Sequence, residues 1–252
     1  MIQDIEKLRK NFERIKNMGW VRETKKGNLS IGATFEALIG KERDELPIPD
    51  FGCVEIKTMN DNSKTRLHLF NLKPDGDCKF PIKRILECLV CPDKDNKECR
   101  VFYRSFNSKK ITKIGKFKDG KIFVNRENEK IELLVYNEKC KNININVSWS
   151  FSWIEKRLMQ KLRYLAIIRA AAKIVNGIGY YHYHKINFYK LKDFDTFLFL
   201  IENGIIEITF KIGVFKKGRR KGEVHDHGTD FSINIDNIDL LYDEISNKEM
   251  VK

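Results

Sequence analysis

Asp50, Glu55 and Lys57 lie in the run Pro49-Asp50-Phe51-Gly52-Cys53-Val54-Glu55-Ile56-Lys57, and their types and spacing suit hydrolysis of phosphodiesters. In an extended segment side chains alternate faces, so Glu55 and Lys57 are expected on one side while Val54 and Ile56 face a core. Asp50 enters from the bend before the strand. Two carboxylates offer hard oxygen ligands for Mg²⁺, which can polarise a phosphoryl oxygen and deliver hydroxide near neutral pH. An amine beside them can hold the attacking water or the developing negative charge. With ~25% charged residues in an average chain, a D-x4-E-x-K match arises by chance in about one chain in 20 of this length. Taken alone, Glu55 and Lys57 would serve equally well as a cross-strand ion pair at a sheet edge.

Composition favours the chemical reading. The 252 residues carry a formal charge of +13 at pH 7, which points to a polyanionic partner, and nucleic acid fits better than a membrane. No apolar stretch approaches the ~20 residues that span a bilayer, and the N-terminus lacks a signal-peptide pattern, so a soluble, cytoplasmic protein is expected. For a chain in that compartment the six cysteines are expected as thiols. Cys88 and Cys91, with Cys78 before and Cys99 after, could supply four thiolates to a structural zinc. However, Ile85, Leu86, Leu89 and Val90 make an apolar segment in which a cysteine behaves as a small hydrophobe, and this reading is preferred to zinc.

The elements that must position the trio are legible in outline. Ile2, Ile5, Leu8, Phe12 and Ile15 recur at helical spacing up to Gly19. A second helix is expected from Ile31 to Ile39, closed by Gly40, with Glu36 beside its apolar stripe. The motif strand follows at Cys53 to Thr58, with Leu67 to Phe70 as its expected neighbour. From Lys73 to Lys130 the chain is basic, turn-rich and irregular, with short apolar pieces at Arg100 to Tyr103 and Lys121 to Val124, and reads as an insertion lobe. Strand character resumes at Ile131 to Tyr136 and Ile143 to Trp149. Ser152-x-x-Glu155 then reads as a capping box opening a helix. A buried strand is expected at Tyr164 to Ile168, with Lys161 just before it and able to lean over the same site. A turn at Asn176-Gly177 leads to the strand Tyr180 to His184, whose aromatics, histidines and Lys185 could stack on or contact phosphate or form an ordinary exposed face. A helix from Asp195 to Glu202 precedes Gly204.

Near the C-terminus, Ile206, Ile208, Phe210, Ile212 and Val214 alternate with polar residues. After the turn Lys216 to Lys221, Phe231, Ile233 and Ile235 alternate with Asp230, Ser232 and Asn234. A two-stranded ribbon of this kind fits a major groove. Its turn, with Arg219, Arg220 and Lys221, could grip phosphates while the polar face reads base edges, or it could be a solvated hairpin. Two histidines flanking an aspartate, as in His225-Asp226-His227, would put both rings on one face of a strand, for base contacts, a hydrogen-bond network or a metal.

Several segments in the same order resemble the MvaI/BcnI type II restriction endonucleases, relatives of the MutH nicking enzyme within the PD-(D/E)XK nucleases. They include Gly19-Trp20, Gly27-Asn28, Ile31 to Glu36, Pro49-Asp50, Glu55 to Thr58, Leu69-Phe70, Trp149 to Phe151, Lys161 to Tyr164, Ile201 to Gly204, Ile212-Gly213 and His225 to Thr229. The resemblance implies an α/β fold with a mixed central sheet flanked by helices and a second, DNA-recognition lobe. The segments would be 1–72 and 131–175 for the catalytic lobe, 73–130 for an insertion or recognition segment and 176–252 for the recognition lobe. It implies Asp50 and Glu55 as Mg²⁺ ligands, Lys57 as the catalytic lysine and Glu36 as an accessory carboxylate. Such enzymes are two-lobed clamps acting as monomers, and a cognate DNA methyltransferase is implied genetically. Lys211, Ser232 and the segment His225 to His227 fall in the family's DNA-reading region. One member of the family carries Asp and Arg on the ribbon, and an Arg after the His-Asp-His-Gly run. Here Thr209, Lys211 and Ser232 stand in the region, so that relative's CCWGG specificity is not expected to transfer. The expected activity is Mg²⁺-dependent double-strand cleavage of short DNA sites, leaving 5′-phosphate and 3′-hydroxyl ends. The alternatives are a MutH-like repair nickase and a non-catalytic DNA-binding module.

Overall fold

The computed structural model describes residues 1–25, 30–41, 48–63, 65–76, 81–89, 91–92, 100–116 and 118–246. It is a mixed α/β chain that divides into two compact units, one of residues 1–65, 157–192 and 239–252, the other of residues 66–156 and 193–238. The four segments expected from sequence are cut differently: residues 131–156 go with the second unit and 176–192 with the first.

The first unit is built on one mixed sheet. The motif strand Val54–Asn60 pairs in parallel with Tyr164–Val175, and this strand forms a long antiparallel hairpin with Ile178–Leu191. Val21–Arg22 and Tyr242–Glu244 pair with the far strand of the hairpin. The hairpin turns at Asn176 and Gly177, with φ of 50° and 73°. Positive φ at both central positions matches the right-handed twist of the flanking strands, which is why an Asn-Gly pair sits there. One sheet face is dry. Val54, Ile56, Ala166, Ile168, Ala170, Tyr183 and Phe188 pack with Ile5, Leu8, Phe12 and Ile15 of the helix Ile2–Asn17 and with Phe35 of the helix Ser30–Leu38. Alternation then sends Glu55, Lys57, Ile167 and Arg169 to the opposite face.

Leu67–Asn71, expected beside the motif strand, belongs to the second unit and pairs with Val224–Ile233. Adjacency in sequence suggested the wrong partner; the motif strand instead takes a parallel partner more than 100 residues downstream. The region expected to be irregular also proves ordered, with a helix at Pro81–Leu89 and strands at Arg100–Phe106, Thr112–Ile114 and Lys118–Asn125. In the last of these Gly120, Ile122 and Val124 are buried and alternate with Lys121, Phe123 and Asn125, so the apolar pieces seen at Arg100 to Tyr103 and Lys121 to Val124 are strands.

The second unit holds two sheets. One runs Leu67–Asn71, Val224–Ile233, Ile206–Val214, Arg100–Phe106 and Cys91–Pro92; the other is centred on Lys118–Asn125 and Lys130–Asn137. Its core is aromatic: Phe210, Phe231, Phe70, Phe106 and Trp149 are buried, and the Trp149 indole donates to the Leu72 carbonyl at 3.0 Å. A buried indole N–H needs such an acceptor. The helix Phe151–Lys161 is capped by Ser150, whose Oγ accepts from the Trp153 amide at 3.3 Å, rather than by the expected Ser152. The return strand of the ribbon stops at Ile233, and Ile235 opens a short 3-10 turn capped by Asn234.

Candidate functional site

In the first unit the motif strand delivers Glu55 into the protein. Its side chain is 2% exposed, and Oε1 accepts from Lys57 Nζ at 2.8 Å and faces Lys161 Nζ at 3.4 Å. The other oxygen, Oε2, is buried with no hydrogen-bond partner among the described residues. Burial pushes the Glu55 carboxyl up from its ordinary range and the Asp50 charge adds to this, against the opposing pull of Lys57 and Lys161. Asp50 goes the other way. Burial would raise its carboxyl, but hydrogen bonds from Lys41 and from the Ile56 amide, together with the charges of Lys41 and Lys57, hold it below the usual carboxylate range. Lys41 Nζ lies 2.5 Å from Oδ1 and the Ile56 amide donates to Oδ2 at 3.0 Å.

The trio expected from sequence is therefore assembled, with Lys161 leaning over it as expected. Lys41 and Tyr242 are additions. The Tyr242 phenol is buried and donates to the Leu162 carbonyl at 3.3 Å; desolvation, and then the Glu55 charge, push it upward. Glu36 lies on the helix Ser30–Leu38, one turn after Gly32, which faces Thr58 of the motif strand, and its charge acts on Tyr183.

A divalent cation fits these residues. An unpaired buried carboxylate oxygen normally costs more than 1 kcal/mol, and a cation held by Glu55 together with Asp50 would remove that cost at Glu55 Oε2. Mg²⁺ needs only one or two protein carboxylates because it keeps several waters. Among the described residues no group of three or more His, Cys, Asp or Glu is placed to hold a metal ion. For the zinc reading, Cys78, Cys99 and the Cys91 side chain lie outside the described residues, as does the Gly27-Asn28 pair.

The second unit places the expected DNA-reading residues with mixed outcome. The ribbon is not free-standing. Its edges pair with Leu67–Asn71 and Arg100–Phe106, because open strand edges carry unsatisfied N–H and C=O groups. Toward the turn, Gly213 pairs with His225 and Val214 with Val224. The two histidines share one face as expected: the ring centroids of His225 and His227 are 3.9 Å apart, and His225 stacks on Phe215 at 4.1 Å and 7°. Tyr103 continues the stack at 6.3 Å from His227, and the Arg220 guanidinium covers Phe215 at 4.2 Å. Burial, then the neighbouring His225, lowers the His227 imidazole, favouring its neutral form. Arg219 and Lys221 are exposed on the turn, whereas Arg220 also pairs with Glu223 at 2.6 Å.

Lys211 Nζ is 2.6 Å from Asp230 Oδ2, and Asp230 also binds the His68 ring. Burial would raise Asp230, but His68 and Lys211 outweigh it and hold the carboxyl low. Asp226 turns to the opposite side from the histidines. Its Oδ1 accepts from the Gly228 amide at 2.8 Å, an arrangement that Gly228 permits at φ 85°, and its Oδ2 is buried with Lys73 Nζ 3.9 Å away. Ser232 is buried, and its hydroxyl and carbonyl both accept from Arg66. The site thus gathers Lys211, His225 and His227 with Asp230 and His68, two residues the sequence did not single out, while Asp226 and Ser232 hold the backbone and Arg66.

The model of the MvaI/BcnI restriction endonuclease family matches residues 9–242. The structure of restriction endonuclease MvaI in complex with its cognate DNA substrate is 30% identical, covers 94% of this chain and 96% of that chain, and superposes with a TM-score of 0.86. MvaI in the absence of DNA, also 30% identical, covers 97% and 98% with a TM-score of 0.62. No curated protein sequence matches the chain. With the family's pattern matched over nearly the whole length and the fold shared with a PD-(D/E)XK-like enzyme, the chain belongs to the MvaI/BcnI restriction endonuclease family and is a DNA endonuclease.

Proposed function

We propose that the chain makes Mg²⁺-dependent double-strand breaks at a short DNA sequence, leaving 5′-phosphate and 3′-hydroxyl ends. The observation that carries the reading is Glu55, buried between Lys57 and Lys161 with one unpartnered oxygen and with Asp50 close enough to shift its titration. Asp50 and Glu55 would hold the cation, which supplies Lewis acidity toward the phosphate and lowers the pKa of water at the site. Lys57 would hold the attacking water or the charge that develops on the phosphoryl oxygens, and Lys161 would keep Glu55 ionised despite burial. That the similar MvaI structure is a complex with its cognate DNA supports DNA as the substrate.

Specificity on this reading lies with His225, His227 and Lys211, and phosphate contact with Arg219, Arg220 and Lys221. Asp226 and Ser232 act beneath them. A Lys at 211 offers a point charge rather than an arginine fork, so the target differs from one read by bidentate Arg–guanine contacts. The enzyme would act as a monomer, and a cognate DNA methyltransferase would protect the host's sites.

Incubating the protein with supercoiled plasmid and Mg²⁺, then sequencing the ends, tests the reading. Discrete linear fragments with ligatable 5′-phosphates are expected. Accumulated open circles would favour a nickase, and binding without cleavage in any divalent metal would favour a DNA-binding module.

A further inference from the structure

The sheet face that carries Glu55 and Lys57 does not end at the catalytic cluster. Along Tyr164–Val175 the odd-numbered residues Leu165, Ile167, Arg169, Ala171 and Lys173 share one face, because Ala166, Ile168 and Ala170 point into the core. Glu55 pairs with Leu165 and Lys57 with Ile167, so the same face runs outward to Lys173. Lys173 pairs with Tyr180, which pairs with Arg22, forming one row across three strands. The next row places His182 opposite Ala171, with the Trp20 ring 5.7 Å from His182. Lys173 Nζ lies 4.1 Å from the Trp20 ring centroid, so a cation is held over an indole that is itself 41% exposed. Arg22 and Lys173 are exposed. Asp61, at the near end of this stretch, is hydrogen-bonded to His184 at 2.8 Å, and the charged side chains in the rows beyond it on this face, Lys173 and Arg22, are both basic.

We propose that this outer row, Arg22, Lys173 and Trp20, binds the phosphate backbone of duplex DNA flanking the cleavage site. The inference rests on the endonuclease reading. Lys173 lies six residues along the strand from the position opposite Lys57, which at ~3.3 Å per residue is about 20 Å, or the rise of about six base pairs at 3.4 Å each. A duplex whose scissile phosphate lies at Lys57 therefore presents flanking phosphates at the distance of Lys173. The Trp20 ring holds the Lys173 stem and amine in place, so that less side-chain entropy is lost on binding.

The test uses the full-length protein without metal and a duplex of about 30 base pairs carrying the mapped cleavage site, compared with one trimmed to about three flanking base pairs, by fluorescence anisotropy at several salt concentrations. Wild type should bind the long duplex more tightly, roughly tenfold or more near 0.1 M salt. R22Q/K173Q should lose that gain, bind the short duplex as wild type does, and show a log–log salt slope smaller by about 2 on the long duplex. W20A should lose part of the gain, while K7Q/K10Q on the first helix should keep all of it. An undiminished flank gain in R22Q/K173Q would overturn the inference. So would a DNA-free dimer, seen by sedimentation, that the same substitutions abolish, since the face would then belong to a second copy. Wild type that cuts no plasmid in Mg²⁺ would instead overturn the endonuclease reading.

Discussion

Two carboxylates 5 residues apart in sequence are pushed in opposite directions by their surroundings, Asp50 downward by Lys41 and the Ile56 amide against its burial, Glu55 upward by burial. Asp50 is thus ready as an anion, and Glu55 depends on nearby positive charge to remain one. D50A, E55A and K57A should each lower plasmid cleavage by about 10²–10³-fold or more, the scale of losing one preorganised charge contact. Circular dichroism should find each variant folded. A loss of only about twofold in K57A would remove Lys57 from the chemistry. As an accessory carboxylate contributed by the helix Ser30–Leu38, Glu36 should matter less than Glu55, so E36Q should retain more cleavage than E55A; a loss as deep as that of E55A would place Glu36 at the reacting atoms. The trio could be read from the chain because its members are local and strand alternation fixes their sides. Lys161 was legible from its place just before a buried strand. Tyr242 was not, since its charge coupling to Glu55 comes from almost 190 residues away in sequence and nothing in its neighbourhood marks it.

At the scale of elements, alternation revealed the ribbon strand Ile206–Val214 and the rings of His225 and His227 on one face, yet it left the ribbon's neighbours unknown. Strand pairing is non-local: Leu67–Asn71 reads as an apolar strand whichever sheet it joins, and nothing in its own residues assigns it to Val224–Ile233. That pairing is what brings His68 to Asp230 and completes the Lys211–Asp230–His68 row. The row makes a pH prediction. The Asp230 carboxyl is lowered from 3.8 in the fold, so its stabilising contribution is present above that value and lost as pH falls through the lower folded value. D230N should therefore be less stable than wild type in urea at pH 7, with the gap narrowing as pH falls below about 4. A gap constant from pH 7 to pH 3 would mean that the row contributes through shape and not charge. His225 belongs to the same face, and H225A should weaken binding to the cleaved sequence much more than to unrelated DNA. Equal losses on both would move sequence reading away from the histidines.

Over the whole molecule the sequence suggested a catalytic part interrupted by an insertion, and the chain does leave and re-enter its first unit, which takes residues 1–65, 157–192 and 239–252. The re-entry points were not legible. Residue 157 falls inside the helix Phe151–Lys161, with no turn or change of composition to mark it. The C-terminal return is similarly quiet: Leu241 and Tyr242 are buried there, in a segment where Ile and Leu alternate with Asp and Asn on both sides of the crossing and no glycine or proline marks it. This division gives metal binding a definite location. If Asp50 and Glu55 hold Mg²⁺, the ion stabilises the fold of the first unit through mass action, by about 2.7 kcal/mol at ~100 times its dissociation constant. For a protein of this size that is a rise of roughly 5–10 °C in melting temperature. The shift should appear in wild type with Mg²⁺, vanish with EDTA, vanish in D50A/E55A, and persist in H225A, whose substitution lies in the second unit. Because the readout is unfolding and not cleavage, it separates loss of the ion from loss of the chemistry, and an equal shift in D50A/E55A would place the cation elsewhere in the chain.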